Sequence, residues 1–316
     1  MMRDSRRDFL KRTAMAGGAM ALGPLGVSAA QEKPLDMVIM RFNGGQGGPV
    51  DDDATVDARA KKMTETAIET LGGMNRFMKK GDSVWILPNI AWDRIPAQAA
   101  NTNPALVATL VKLCLDAGAK NVKVGCNPCN DAVKAYPRSG IENAVKQAGG
   151  DTVYLDPERY KDYDINGKRL RKWPLYPEIV ESDLVINVPI VKHHSMARVT
   201  VCMKNYMGVS GGNRGQWHQD MPACLCDITA FMKPSLAIVD ATRILTNNGP
   251  TGGNLADVKR LDTIAAGTDI VALDAFAVGL LGHKPEEIAT VAAGQAEGLG
   301  KMDYRSELGL KEIDLA

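Results

Sequence analysis

Leu184-Val-Ile-Asn-Val-Pro-Ile-Val-Lys-His-His194 joins an apolar run directly to a group of reactive side chains. Residues 184–191 are apolar except for Asn187, and such a run between polar residues is typical of a strand buried on both faces of a parallel sheet. In open α/β sheets, ligands bind beyond the carboxyl ends of the strands. The sequence therefore predicts a functional site immediately after residue 191, where Lys192 and His194 stand.

Apolar runs and helix-like segments alternate on both sides of this stretch, which predicts an α/β fold. We expect a mostly parallel, open sheet with helices on both faces, of the Rossmann-like, doubly wound kind. The predicted strands are residues 35–42, 83–87, 121–124, 152–155, 184–191, 236–239 and 260–266, with an edge strand in the tail 304–316. The predicted helices are residues 55–79, 105–117, 139–148, 223–232, 270–281 and 285–296. Residues 156–173 are polar and contain the turn pair Asn166-Gly167, which predicts a small β excursion.

Residues 1–30 have the pattern of a twin-arginine export signal. Ser5-Arg-Arg-Asp-Phe-Leu-Lys11 carries the paired arginines, residues 14–27 are weakly apolar, and Ser28-Ala-Ala30 offers a cleavage site. The apolar run is shorter than the roughly 20 residues that a membrane-spanning helix needs. We therefore expect recognition by the twin-arginine export machinery, cleavage, and release into the periplasm. Residues 31–316 would then form a single domain without a membrane span.

The charge balance argues against polyanionic partners. The whole chain has a formal net charge of +1, and residues 1–30 contain five Lys or Arg and two Asp, so the remainder is slightly acidic. A near-neutral surface gives no electrostatic reason to bind nucleic acid or anionic lipid. We expect a small molecule or a metal as the ligand, with a redox protein as a further partner.

The six cysteines include one closely spaced pair, Cys126-Asn-Pro-Cys129. In an oxidising compartment this pair has three interpretations: a disulfide, a redox-active pair, or half of a metal site. The sequence leaves these alternatives open.

Several motifs resemble those of the family called domain of unknown function 362. They are Asn89, Thr102-Asn-Pro104, Asp116-Ala-Gly-Ala-Lys-Asn-Val122, Asn187-Val-Pro-Ile-Val-Lys192-His-His194, Thr200-Val-Cys-Met-Lys204-Asn205-Tyr-Met-Gly208, His218, Asp240-Ala241, Asn248-Gly-Pro250, Gly253 and Asp269-Ile-Val-Ala-Leu-Asp274-Ala. The lysine–histidine to lysine–asparagine centre is the most specific part of the resemblance. It extends over nearly all of the predicted mature chain.

Members of that family are sometimes joined to iron–sulfur ferredoxin modules, so the resemblance implies redox or metal biochemistry. This chain departs from the family pattern in three ways. Leu87 replaces the usual lysine before Pro88-Asn89, and His193 replaces a small residue and doubles the histidine. The chain also has no ferredoxin-type cysteine run, which argues against a bound cluster of that kind.

One hypothesis for the site is a transition-metal centre. His194 and His218 would supply imidazoles to iron, copper or zinc. Adjacent side chains on an extended segment point to opposite sides, so we expect only one of His193 and His194 to face the centre. The family position favours His194 as the metal ligand. His193 would lie outside the metal ligands and help to orient them.

The second hypothesis is a pocket for a carboxylate or phosphate ligand. Lys192 and Lys204 would supply positive charge, and Thr200 and Asn205 would supply directional hydrogen bonds. Asn89, Asp240 and Asn248 are the further predicted ligand-binding residues, since each follows a predicted strand or lies in a loop near its end. Asp269 and Asp274 are predicted as helix-start residues instead.

These residues also suit acid–base or Schiff-base catalysis. A lysine held in a dry site beside a second cation has a lowered pKa and can act as a base or nucleophile, with a histidine as its proton partner. Lys192, Lys204 and His194 are therefore the predicted catalytic residues. The favoured function is an exported metal- or cofactor-dependent, redox-associated enzyme. The alternative is a non-catalytic periplasmic carrier of a metal or an anionic ligand.

Overall fold

The computed structural model describes residues 34–316, and the export signal predicted in residues 1–30 lies outside the described residues. Within residues 34–316, no helix has both the length and the apolar character needed to cross a bilayer. The strands are β1 (Met37–Phe42), β2 (Ser83–Pro88), β3 (Asn121–Val124), β4 (Asp151–Thr152), β5 (Lys161–Asp164), β6 (Lys172–Leu175), β7 (Leu184–Val188), β8 (Ile190–His194), β9 (Arg198–Thr200), β10 (Leu236–Leu245), β11 (Val258–Gly267) and β12 (Leu310–Leu315). The α-helices are α1 (Asp53–Thr70), α2 (Pro104–Asp116), α3 (Ala132–Arg138), α4 (Ile141–Ala148), α5 (Pro177–Val180), α6 (Cys202–Asn205), α7 (Met221–Met232), α8 (Ile270–Leu280), α9 (Ala289–Ala296) and α10 (Tyr304–Glu307).

The main sheet is mixed but mostly parallel, as the sequence predicts. Its strand order is β12-β1-β11-β10-β7-β2-β3-β4. Strand β11 runs antiparallel to both of its neighbours, and the other adjacent pairs along this path are parallel. Strand β12 is the edge strand that was predicted in the tail. The α/β class is therefore confirmed.

Helices cover the sheet on both faces. Strand β10 is buried at every position and β11 at every position but one. Because the side chains of a strand alternate between its two faces, such burial requires cover on both sides. Helices α1 and α2 pack on β11 and β2, respectively, while α8 packs on β10 and β11.

Local sequence explains where two of these helices begin. Asn103 caps α2, its side chain accepting the N–H of Leu106, and Pro104 occupies the first turn, where its missing N–H matters least. Asp269 caps α8 in the same way, as predicted. Asp274 lies about one turn inside α8, behind this cap.

Pro189 divides the predicted central strand into β7 and β8. Proline has no N–H to donate to the ladder, although its carbonyl oxygen accepts a 2.9 Å hydrogen bond from the N–H of Asp240. Strand β7 lies between β2 and β10, whereas β8 stays beside β10 and then folds back into an antiparallel pair with β9. This pairing sets Lys192 opposite Thr200.

Other predicted boundaries shift for identifiable reasons. The helix predicted over residues 55–79 ends at Thr70, since Gly72 and Gly73 follow with φ of 104° and 79°. Helix α3 was not predicted, and it contains Pro137. The β excursion is confirmed as the two-stranded sheet of β5 and β6, and Asn166 adopts a φ of 56° in the turn between them.

Candidate functional site

A cavity of about 370 Å³ opens beyond the carboxyl ends of β2, β3 and β8. Residues 89–92 line it after β2, and residues 126, 127 and 129 line it after β3. His194 contributes from the end of β8, and the segment between residues 204 and 218 supplies much of the remaining wall. The cavity therefore lies where the sequence predicts the functional site.

Lys192 is the most deeply buried cation of this cavity, being 1% exposed. Its Nζ donates to the carbonyl oxygen of Ala100 at 2.6 Å and to Oδ1 of Asn89 at 2.9 Å. Both acceptors are neutral. Burial lowers the pKa of Lys192 to about 7, so the amine and ammonium forms coexist near neutral pH.

A chain of asparagine amides leads away from Lys192. Asn89 Nδ2 donates to Asn205 Oδ1 at 2.9 Å, and Asn205 Nδ2 donates to Asn187 Oδ1 at 2.8 Å. Asn187 Nδ2 then donates to the carbonyl oxygen of Cys202 at 2.8 Å. A lysine ammonium can only donate, so Asn89 must turn its oxygen to Lys192 and its NH₂ group to Asn205. The orientations of the Asn205 and Asn187 amides follow from this. Asn205 therefore links Asn89 to Asn187 in the middle of this chain of amides.

Two more cations line the cavity, Lys204 and Arg214. Lys204 Nζ lies 3.4 Å from the thioether sulfur of Met207, a weak acceptor, and burial lowers the pKa of Lys204 to about 8. Arg214 donates to the carbonyl oxygens of Met207 and Pro128 at 2.7 and 2.8 Å. Each contact fixes the position of a cation without cancelling its charge.

No carboxylate balances these three charges at the cavity. Neither Asp nor Glu is among the residues that line it. Within residues 34–316, Lys192, Lys204 and Arg214 form no ion pair with an acidic side chain. Low-dielectric walls concentrate the resulting positive potential, which attracts an anion.

His194 and His218 present opposite hydrogen-bonding groups to the cavity. His194 Nδ1 accepts the backbone N–H groups of Met196 and Ala197, each at 3.2 Å, so the neutral ring carries its proton on Nε2. His218 Nδ1 lies 2.9 Å from the carbonyl oxygen of Gly215, which can only accept, so its Nε2 holds a free lone pair. The two rings stack with centroids 5.6 Å apart. Burial lowers the pKa of both, to about 3 for His194.

Asp274 anchors the short helix α6, which carries Lys204 and Asn205. Its carboxylate accepts the N–H groups of Cys202 at 2.6 Å and Met203 at 3.2 Å. Burial raises the pKa of Asp274 to about 7. The carboxyl thus caps a helix in another part of the chain and positions Lys204 without lining the cavity.

One known family model spans the whole region of the chain that forms the cavity. The model described as "Domain of unknown function (DUF362)" matches residues 84–279, which include every residue lining the cavity. The chain belongs to the DUF362 family. The resemblance seen in the sequence motifs is thereby confirmed.

One curated relative of this DUF362 chain is the "Thylakoid-associated protein sll1697" of Synechocystis sp. (strain ATCC 27184 / PCC 6803 / Kazusa). It is 29% identical over 243 residues, which cover 74% of each protein.

Two solved structures align with part of this chain at 10% sequence identity. The lactate racemase apoprotein from Thermoanaerobacterium thermosaccharolyticum matches with a TM-score of 0.40, over 76% of this chain and 56% of that one. A Thermotoga maritima protein matches with a TM-score of 0.31, over 61% of this chain and 51% of that one. The DUF362 chain thus spans about half the length of these two structures.

Three predicted residues do not line the cavity. Asp240 is buried below it, where its carboxylate accepts the N–H of Asn103 at 2.7 Å and both the N–H and the hydroxyl of Thr242. Asn248 is exposed and donates to Asp257, while the neighbouring residues 250 and 251 line the cavity instead. His193 points away and accepts the N–H of Gly249 at 3.1 Å, so of the two adjacent histidines only His194 lines the cavity.

The residues of the DUF362 cavity do not fit the predicted metal centre. Within residues 34–316, no group of three or more His, Cys, Asp or Glu side chains could hold a metal ion. His194 also lacks a free lone pair, because two backbone N–H groups use the one on Nδ1 and the neutral ring is protonated on Nε2.

Sequence reasoning missed Arg214 as a site residue. It lies in the glycine-rich segment before His218, and its guanidinium was the available signal for anion binding. The pair Cys126 and Cys129 is unlinked, with Cys126 buried and Cys129 exposed at the cavity. Burial raises the pKa of Cys126 to about 12, so its thiol stays protonated.

Proposed function

We propose that this chain binds a small anion, a carboxylate or a phosphate, in the cavity and acts on it as an acid–base enzyme. The observation that carries the proposal is the set of three cations, Lys192, Lys204 and Arg214, with no carboxylate among the lining residues. Buried charges in proteins are normally paired, because removing an unpaired charge from water is unfavourable. An anionic ligand would supply the missing partner.

The lysines support catalysis in addition to binding. Burial brings the pKa of Lys192 to about 7 and that of Lys204 to about 8, so each has a neutral fraction near pH 7. A base with a pKa close to the working pH is the most effective in general acid–base catalysis. His218 offers a second lone pair in the same cavity. A passive carrier would need the charges but not these lone pairs.

The proposal includes export, which rests on the paired Arg6 and Arg7 of the N-terminal motif. It does not include metal dependence, because among residues 34–316 no group of three or more His, Cys, Asp or Glu side chains could hold a metal ion. Cell fractionation tests the location. We expect the mature protein in the periplasm, and accumulation of the precursor in the cytoplasm when Arg6→Lys and Arg7→Lys are combined.

Calorimetric titration with inorganic phosphate and with acetate tests the binding site. We expect both anions to bind the wild-type protein and Lys204→Met to weaken binding by roughly tenfold or more, because a hydrogen bond to a charged group contributes about 1.5–3 kcal/mol. Lys259→Met, which removes an exposed cation of β11, is the matched control. Equal affinities of wild type and Lys204→Met would contradict the proposal.

The carrier alternative calls for a different measurement. Incubating the protein in D₂O with a panel of small carboxylates and following their C–H signals by proton NMR detects proton exchange. An enzyme of the proposed kind exchanges at least one member of the panel, and Lys192→Met or Lys204→Met abolishes the exchange. Binding of the same anion without any exchange would favour the carrier.

A further inference from the structure

Two buried polar atoms at the cavity lack a partner among the described residues. They are Oγ1 of Thr200 and Nε2 of His218. Thr200 is only 4% exposed, and it faces Lys192 across the β8–β9 pair. Buried polar atoms in native proteins are normally hydrogen-bonded, so such orphans at a cavity indicate the groups that a ligand completes.

The hydrogen-bonding roles of the surrounding groups are nearly all of one kind. Lys192, Lys204 and Arg214 can donate but not accept while they are charged. The proton on Nε2 makes His194 a donor as well. His218 is the exception, because Nδ1 donates to the Gly215 carbonyl and leaves Nε2 as an acceptor. Burial lowers the pKa of His218, which keeps this lone pair free at neutral pH.

We propose that the ligand of this cavity is a hydroxylated small anion, whose acidic group meets the three cations and whose hydroxyl donates to Nε2 of His218. This inference rests on the anion-binding function proposed above and narrows the ligand class. The donor is a hydroxyl and not an ammonium, because the three neighbouring cations would repel a further positive charge. Thr200 donates its hydroxyl to the anionic end of the ligand. His218 is thereby the residue that selects for the hydroxyl.

Glycolate and acetate form a matched pair of probes, since they differ only by the hydroxyl group. We expect wild-type protein to bind glycolate about tenfold more tightly than acetate, because acetate leaves a buried lone pair without a partner. His218→Phe keeps the flat ring but removes the acceptor, so it should bind the two anions about equally. His283→Phe, which changes a histidine outside the cavity, is the control and should keep the preference for glycolate.

Nitrogen-15 NMR on the unmutated protein gives an independent measurement that does not depend on the folding of a variant. We expect His218 in the Nδ1–H form and His194 in the Nε2–H form at neutral pH. Glycolate, but not acetate, should shift the Nε2 signal of His218.

The outcomes separate the two proposals. If wild type binds acetate and glycolate equally, or if His218→Phe keeps the preference, the hydroxyl inference is wrong while anion binding stands. If wild type binds none of acetate, glycolate and phosphate, the proposed function is wrong, and the hydroxyl inference is wrong with it.

Discussion

Two buried groups of cations in this molecule are built in opposite ways. In the first, Arg260 lies 2.9 Å from Asp262, whose buried carboxylate also meets Arg59, and Arg243 pairs with Asp53. In the second, Lys192, Lys204 and Arg214 surround the cavity and contact only neutral atoms. We call these the paired cluster and the open cluster.

The difference distinguishes cations that stabilise the fold from cations that are available to bind a ligand. The core of the paired cluster lies on the strand pair β10–β11, where Arg243 and Arg260 are opposite each other and each guanidinium meets a carboxylate. The open cluster keeps its cations fixed but uncompensated, which disfavours the folded state until an anion arrives. The first should therefore respond to mutation through stability, and the second through pH and ligand.

The largest expected effect is the loss of a carboxylate from the paired cluster. Asp262→Asn should lower the free energy of unfolding by about 3–5 kcal/mol, because Arg260 and Arg59 lose the buried charge they share. Asparagine tolerates the positive φ of 43° at this position, so backbone strain does not confuse the result. Urea denaturation measures the change, with the exposed Asp51→Asn as control. A change below about 1 kcal/mol would place Asp262 with ordinary surface charges.

The open cluster should instead affect how the free energy of unfolding depends on pH. The pKa of Lys192 is about 7 in the folded protein and 10.5 in the unfolded chain. Between these values the unfolded chain binds more protons, so stability rises with pH, by up to about 1.4 kcal/mol per unit from this one group. Lys192→Met should remove that slope, a difference of about 2.7 kcal/mol between pH 7.5 and 9.5. Urea denaturation at both pH values checks it, and identical slopes in the two proteins would contradict the burial argument.

A bound anion should convert the open cluster into a paired one. Phosphate at ten times its dissociation constant should stabilise the wild-type protein by about 1.4 kcal/mol, as mass action requires. Thermal denaturation with and without phosphate measures this, using sodium chloride of equal ionic strength as the control. The stabilisation should be largely absent in Lys204→Met at the same phosphate concentration. A phosphate effect shared fully by Lys204→Met would indicate binding elsewhere.

The smallest effect is expected from an exposed ion pair, which tests whether pairing alone matters. Glu312 lies 2.6 Å from Arg41 at the sheet edge and also meets the exposed Arg305, and its side chain is 30% exposed. Glu312→Gln should change the free energy of unfolding by less than about 1 kcal/mol, because water and salt screen the pair. A loss comparable to that of Asp262→Asn would show that burial is not what separates the two clusters.

The sequence predicted the architecture from short-range signals. Apolar runs identified most strands, Asp269 marked a helix start, and Asn166 marked the hairpin. These signals work because caps, turns and buried strands depend on neighbouring residues. The end of the long helix at Thr70 was missed although the local signal, Gly72-Gly73, was present in the sequence. The helix α3 was missed because it contains Pro137, a residue that usually argues against a helix.

The site was predicted in position and in part of its chemistry. Four predicted residues meet at one cavity, because the end of β8, the short helix α6 and the segment before α7 converge there: Lys192, His194, Lys204 and His218. The metal hypothesis does not fit, because Nδ1 of His194 accepts hydrogen bonds from two backbone N–H groups. These hydrogen bonds depend on loop geometry that no sequence pattern reveals. Asp240 was misplaced for a similar reason: it is buried by Asn103 and Thr242, which lie outside the cavity.

Cys129 gives the molecule a natural attachment point beside the cavity. It is exposed, whereas the other five cysteines are buried. A maleimide fluorophore would therefore react with the native sequence at one place, without removal of competing thiols. Since Cys129 lines the same cavity as Arg214, a dye attached there would report binding of a ligand in the cavity without any change to the amino-acid sequence.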